Sequence, residues 1–202
     1  DWVHSRLDYQ GRKVDVKGTE PTIAEAQPGT IFMLMRTKTG RLFQSWSYDN
    51  GETWTEGVPS QLASVNSPAQ LATVPGTNDL LVVWNQSSIT EAQNSFYRAR
   101  LSTAISRDQG RTWTHFQNIE SSREGTYVAP EPVHPEWILA GLNPRNDELP
   151  GYPKPPQRPD KEHSGRLYAS YTYPAVLFHG NNLLVSHADL HWDEDGKVVT
   201  PG

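Results

Sequence analysis

Cysteine is absent from the 202 residues, which excludes disulfides, thiolate metal ligands and a cysteine nucleophile. That absence fits a reducing or an oxidising compartment equally. Long apolar runs are missing too. The run Leu80-Leu81-Val82-Val83-Trp84 is the size of a strand, far short of the roughly 20 residues a membrane-spanning helix needs. Positive charge is in deficit, with 18 Lys and Arg against 23 Asp and Glu, for a net −5. This balance argues against a general nucleic-acid or anionic-membrane binder, though not against a local Arg cluster in a pocket. There is no phosphate-cradling Gly loop and no G-x-S-x-G elbow, so neither a nucleotide cofactor nor a serine hydrolase is indicated. The expected cofactor is none. The opening Asp1-Trp2-Val3 has no initiator Met and no signal-peptide pattern.

Aromatic residues, by contrast, are plentiful: seven Trp, eight Tyr and five Phe are too many for a disordered chain. Small sheets with aromatic-filled cores suit this profile better than long amphipathic helices. The pattern Ser47-Tyr48-Asp49-Asn50-Gly51-Glu52-Thr53-Trp54 returns 59 residues later as Ser106-Arg107-Asp108-Gln109-Gly110-Arg111-Thr112-Trp113. Both copies read S-x-D-x-G-x-T-W and both follow strand-like sequence. Each position has a task in a hairpin. Asp and Ser satisfy turn amides, Gly permits positive φ, Thr returns the chain to β geometry, and Trp buries a ring under the turn. Asp49 and Asp108 are therefore expected to be structural rather than catalytic, with Trp54 and Trp113 buried.

Four-stranded antiparallel units fit around these turns. The first reads Pro21–Ala24, Thr30–Met35, Leu42–Ser47 and the segment after Trp54. The second reads Gln70–Thr73, Leu80–Trp84, Leu101–Ser106 and Thr114–Gln117. A third begins at Ala175–Phe178 and Leu183–His187, continuing at Lys197–Thr200 after the turn Asp193-Glu194-Asp195-Gly196. Between the second and third units lie nine of the sixteen Pro, which places loop rather than sheet there. This stretch reads either as a surface excursion or as a substrate-contacting lid, with His134, Trp137 and Tyr152 able to pack or bind.

The repeated turn is the Asp box, or BNR repeat, and the chain resembles the sialidase superfamily of β-propellers. The resemblance implies an all-β, six-bladed propeller of four-stranded antiparallel blades, of which about three are visible. The chain reads as one partial propeller domain over residues 1–202, with a Pro-rich loop insertion at about 129–166. Three blades cannot close a ring, and six at this spacing need on the order of 300 residues or more. The expected partner of the chain is thus the N-terminal half of the propeller.

Members of the superfamily hold the carboxylate of an acidic sugar with three Arg. A Tyr, deprotonated by a Glu, attacks the anomeric carbon, and an Asp serves as acid/base. Tyr suits this task because the sugar's own carboxylate would repel a carboxylate nucleophile. The stretch Glu20-Pro21-Thr22-Ile23-Ala24-Glu25, leading through Gly29 to Arg36, is similar to the family's segment in which a Glu opens one strand and an Arg closes the next. By that match Glu20 is the base and Arg36 a carboxylate-binding Arg, with Glu25 a neighbour. The stretch Arg98-Ala99-Arg100-Leu101 resembles the R-x-x-L strand that enters the next box, which assigns Arg98 to the carboxylate and keeps Arg100 in reserve. The stretch Tyr171-Thr172-Tyr173-Pro174-Ala175 is similar to the nucleophile segment, with Tyr173 the better match and Tyr168 and Tyr171 as alternatives. Residue type alone also allows bland roles: Glu20 solvated at a strand start, Arg36 at an exposed strand end, and Tyr173 in packing.

The first triad Arg and the Asp acid/base have no candidate. Arg6 and Asp8 precede Glu20, but no R-I-P-like strand surrounds them. The residues His187, Asp189 and His191 would share a strand face, yet no further His or thiolate completes a metal set, so no metal is expected. The resemblance implies a secreted or periplasmic exo-glycosidase that cleaves a terminal acidic sugar with retention. The alternatives are a glycan- or protein-binding propeller without chemistry, and a polysaccharide lyase on a related propeller.

Overall fold

The computed structural model describes residues 5–9, 12–64, 66–87, 98–121, 168–192 and 197–199. Within them the regular structure is entirely β. The strands are β1 (Ser5–Tyr9), β2 (Arg12–Val16), β3 (Thr19–Gln27), β4 (Thr30–Arg36), β5 (Arg41–Ser47), β6 (Val58–Ala63), β7 (Gln70–Thr73), β8 (Leu80–Trp84), β9 (Arg100–Ser106), β10 (Thr114–Ser121), β11 (Tyr168–His179), β12 (Asn182–Trp192) and β13 (Val198–Val199). They form a β1–β2 hairpin, two four-stranded sheets ordered β3-β4-β5-β6 and β10-β9-β8-β7, and a sheet ordered β11-β12-β13. All neighbours are antiparallel. These are the blades of a propeller of the Asp-box type. The first strands of successive blades, β3, β7 and β11, pack on one another. A hydrogen bond from the Leu71 amide to the Thr22 hydroxyl (3.1 Å) and one from the Thr73 hydroxyl to the Glu25 carbonyl (2.6 Å) join the first two of these strands.

The two-residue period of a strand explains why each blade is apolar on both faces. In β8, Leu80, Val82 and Trp84 face the first blade, where they meet Phe32, Leu34, Leu42 and Leu62. The intervening Leu81 and Val83 face the third blade and pack with Leu101 and Tyr171. In β4, Phe32 and Leu34 face the second blade, while Met33 and Met35 turn the other way, onto Val16 of β2. A strand sandwiched between two sheets must be apolar throughout, and β8 has no exposed residue. Burying each large apolar side chain of these faces contributes about 1.5–3 kcal/mol.

The two Asp boxes fold identically. Ser47 donates to Asp49 Oδ1 and accepts from the Gly51 amide, both at 2.8 Å, and the Thr53 amide and hydroxyl donate to the Asp49 carboxylate at 2.8 and 2.5 Å. Ser106, Asp108, Gly110 and Thr112 repeat each bond at the same lengths. Donation from the Thr53 hydroxyl and amide, then from Ser47, holds the Asp49 carboxyl below its ordinary range. Burial pushes Asp108 the other way, but the Thr112 and Ser106 donors outweigh it and its pKa is also lowered. The structural reading of both Asp residues agrees with this geometry.

Equal turns have unequal surroundings. The second box wedges against the first blade. Trp46 donates its indole N–H to the Gln109 carbonyl at 2.7 Å, and the Trp113 ring lies 6.0 Å from Phe32. Trp113 is buried, as expected, whereas Trp54 is only partly buried, against Val16, Met33, Met35 and Phe43. The expectation of a buried Trp54 is therefore corrected: the ring packs on β2 and its own blade, and no full sheet covers it among the described residues.

The same asymmetry separates the two box glycines. Both have positive φ, +94° at Gly51 and +88° at Gly110, but a Cβ on Gly110 would lie 2.5 Å from the Phe32 ring. At Gly51 the nearest atom would be Ile31 Cδ1 at 3.5 Å. Gly51→Ala should cost about 1–2 kcal/mol for the left-handed backbone alone. Gly110→Ala should cost about 1–3 kcal/mol more, for overpacking between blades. Urea midpoints of the two variants measure this, and equal losses would contradict the interblade wedge.

Candidate functional site

Strand register brings Glu20 and Arg36 together. Thr19 of β3 pairs with Arg36 at the end of β4, and the next paired residue on β3 is Thr22. Glu20 and Pro21 thus occupy a bulge, where a proline without an N–H costs no ladder bond. The Glu20 carboxylate meets Arg36 Nη1 at 2.5 Å. Arg36 is the better covered partner, with its side chain 17% exposed against 42% for Glu20. Its Nε donates to Asn66 Oδ1 at 2.7 Å.

Arg98 stands two residues before β9 and accepts the Tyr171 amide on its carbonyl at 2.9 Å, which docks β11 beside it. Its guanidinium donates to the Thr172 hydroxyl and to the Asn66 carbonyl, the latter at 3.2 Å. The guanidinium carbon also lies 5.7 Å from the centre of the Tyr173 ring, a cation–π arrangement. Tyr173 and Pro174 form a second bulge, between Thr172 and Ala175. Glu20, Arg36, Arg98 and Tyr173 thereby form one connected set, in which Asn66 links the two Arg. Glu20 is bonded to Arg36 and makes no hydrogen bond to Tyr173.

Backbone strain concentrates here. Among the described residues, six that are not glycine have positive φ. Two are box positions, Asn50 and Gln109, and three are Glu20 (44°), Arg98 (58°) and Tyr173 (51°). Such conformations cost about 1–3 kcal/mol each and persist only where the surroundings enforce them. The boxes lie at the opposite ends of the sheets. Ser47 pairs with Ile31, next to the Gln27–Thr30 turn, while Arg36 lies at the far end of β4.

The alternatives separate by burial. Arg100 is buried and opens β9 as the buried Arg41 opens β5, each six residues before its box Ser. Arg41 caps the Ser60 and Gln61 carbonyls of β6 (3.3 and 3.0 Å), so this position belongs to the repeat's scaffold. Tyr171 is buried, and burial followed by the charges of Glu120 and Asp189 raises its phenol above the ordinary value. Tyr173, by contrast, is 57% exposed. Glu25 accepts the Gly29 amide at 3.2 Å, a turn role. His191 bonds Asp189 at 2.8 Å, and His187 packs edge-on against Tyr171. No group of three or more candidate ligands could hold a metal among the described residues.

The side chains of Arg6, Asp8 and Tyr168 lie outside the described residues, as do the turn at 193–196 and the Pro-rich stretch with His134, Trp137 and Tyr152. Among the described residues no helix is long and apolar enough to cross a membrane. Asn66 and Thr172 were not anticipated from sequence. Both bulges carry an X-Pro pair, Glu20-Pro21 and Tyr173-Pro174, but Val58-Pro59 of β6 pairs in regular register, so the dipeptide alone does not mark a bulge.

No curated protein matches the chain significantly. Among solved structures, the NanB sialidase of Streptococcus pneumoniae, in complex with 2-[(3-chlorobenzyl)ammonio]ethanesulfonate, is 14% identical, with a TM-score of 0.49 over 94% of this chain and 24% of its own. An α-L-arabinanase of Penicillium chrysogenum complexed with arabinobiose is 15% identical, with a TM-score of 0.48 over 90% of this chain and 48% of its own. A mutant Trypanosoma rangeli sialidase displaying trans-sialidase activity is 13% identical, with a TM-score of 0.45 over 93% and 24%. The chain therefore spans less than half of each of these proteins. The family described as BNR repeat-like domain matches residues 1–188. With that match over nearly the whole length and two Asp boxes of the same hydrogen-bonded geometry in place, the chain belongs to the BNR repeat-like domain family.

Proposed function

We propose that the chain supplies part of the active site of an exo-glycosidase that removes a terminal acidic sugar, sialic acid or a close relative, with retention of configuration. The observation that carries this reading is the convergence of Arg36 and Arg98, from two blades, on one residue, Asn66, with Glu20 and Tyr173 attached to the same set. Two guanidinium groups at the strand ends of adjacent blades suit a carboxylate, which takes paired N–H donors from Arg better than from Lys.

In this mechanism Arg36 and Arg98 hold the sugar carboxylate. Its arrival competes with Glu20 for Arg36 Nη1 and frees Glu20 to accept the phenolic proton of Tyr173. The Tyr173 oxygen then forms the bond to the anomeric carbon as the aglycone leaves. Water releases the sugar in a second step, and the proton returns to Tyr173. The acid that protonates the leaving group, and a third Arg, would come from blades that complete the ring. Such an enzyme meets its glycans outside the cytoplasm, where we place it.

The ion pair between Glu20 and Arg36 also favours a second reading, a propeller that binds acidic glycans without cleaving them. Aryl glycosides of N-acetylneuraminic acid and of its methyl ester, given to the full-length native protein, separate the two. Turnover of the free acid but not of the ester supports the glycosidase. Binding of the acid without turnover supports the lectin-like alternative. Indifference to both removes the acidic-sugar reading.

A further inference from the structure

Asn66 lies on the connection between β6 and β7, where the chain crosses from the first blade to the second. The crossing is anchored on both sides. The Ser64 amide donates to the Gly40 carbonyl at 3.0 Å in the first blade, and Ser64 forms a bridge with Gln86 of the second. Ser67 is fully buried. From this anchored position the Asn66 side chain accepts from Arg36 of the first blade, at 2.7 Å, and its main-chain carbonyl accepts from Arg98, next to β9 of the second, at 3.2 Å. One residue thus sets the separation of two cationic groups carried on different sheets.

We infer that Asn66 is a positioning residue, a neutral brace that pre-organises Arg36 and Arg98 for an anion. This inference rests on the reading of those two Arg as an anion site. Long Arg side chains lose rotamer freedom when a ligand freezes them, and a brace that fixes them beforehand removes that cost from binding. Neutrality is the second half of the argument. Arg36 already shares one of its nitrogens with Glu20. An acceptor at residue 66 that carried its own negative charge would complete the neutralisation of Arg36 and repel the incoming carboxylate. An amide oxygen accepts the Nε–H without adding charge. Arg36 is left with guanidinium N–H groups that a ligand can share, and the field at the site stays positive.

The roles of charge and of hydrogen bonding at residue 66 can be separated by two variants. Asn66→Ala removes the acceptor, while Asn66→Asp keeps it at nearly the same size and adds charge. Calorimetric titration of N-acetylneuraminic acid and of its methyl ester into the full-length native protein and both variants reads the outcome, with thermal midpoints recorded alongside. The wild type should prefer the acid. Asn66→Ala should lose about tenfold or more of its affinity for the acid, the scale of a hydrogen bond to a charged group. Asn66→Asp should lose at least as much, with affinity for the ester unchanged in both. A merely structural brace is served as well by Asp as by Asn, so wild-type preference in Asn66→Asp overturns the inference while leaving the anion site standing. A wild type that does not prefer the acid overturns the anion site and the brace together.

Discussion

Tyr173→Phe should lower kcat on an acidic-sugar glycoside by about 10³-fold, roughly 4 kcal/mol of barrier, while the protein stays as stable as the wild type within about 0.5 kcal/mol. The expectation follows from position. Tyr173 is 57% exposed, its ring lies over Arg98, and its hydroxyl has no hydrogen-bonded role in the core. Removing one oxygen there leaves the packing of β11 intact but removes the proposed nucleophile. Tyr171 is the internal control. It is buried at the interface of the second and third blades and held protonated by burial and by the charges of Glu120 and Asp189. Tyr171→Phe should therefore leave the chemical step largely unchanged. Wild-type turnover by Tyr173→Phe would remove this residue from the mechanism, and a burst of covalently bound sugar in the wild type would support its role directly.

Arg36→Ala has the second large effect, and it discriminates between substrates. Arg36 is covered, bonded to Glu20 at 2.5 Å and to Asn66 at 2.7 Å, so its loss removes a guanidinium already fixed in place. Each charge-assisted hydrogen bond contributes about 1.5–3 kcal/mol, so KM for the acidic substrate should rise about 10- to 100-fold. A neutral analogue should change little. The variant also leaves Glu20 without its resting partner. Equal losses for acidic and neutral glycosides would mean that Arg36 only supports the strand end, and the carboxylate would then need another holder.

The chain's repeat made much of the fold legible. Two S-x-D-x-G-x-T-W turns locate the junction of third and fourth strands in the first two blades, and the strands Gln70–Thr73 and Leu80–Trp84 have the expected bounds. The β1–β2 hairpin went unread because its residues carry no such turn. The equivalence of Arg100 with the buried Arg41 is also written in the sequence. Arg-Leu begins the strand before each box at the same spacing, in Arg41-Leu42 and Arg100-Leu101. Trp54 shows the limit of the argument from repeats. Identical residues make identical turns, yet what covers the ring depends on the neighbouring sheet, which an eight-residue pattern does not encode.

By itself the sequence determined the class of fold, the course of the first two blades and the structural status of Asp49 and Asp108, because turn chemistry and a two-residue period are local properties. The third blade, expected from Ala175, in fact opens at Tyr168. The sequence also named Glu20, Arg36, Arg98 and Tyr173 by resemblance. Only the tertiary structure decided that they meet, since Glu20 and Tyr173 are 153 positions apart and are aimed by bulges whose positive φ values depend on enforcement by adjacent strands. It alone revealed Asn66, a residue of ordinary type in a loop, because bridging two blades is a property of packing between distant segments. It also paired Glu20 with Arg36 rather than with a tyrosine, because strand register sets those two side chains side by side and the strongest nearby charge claims the carboxylate.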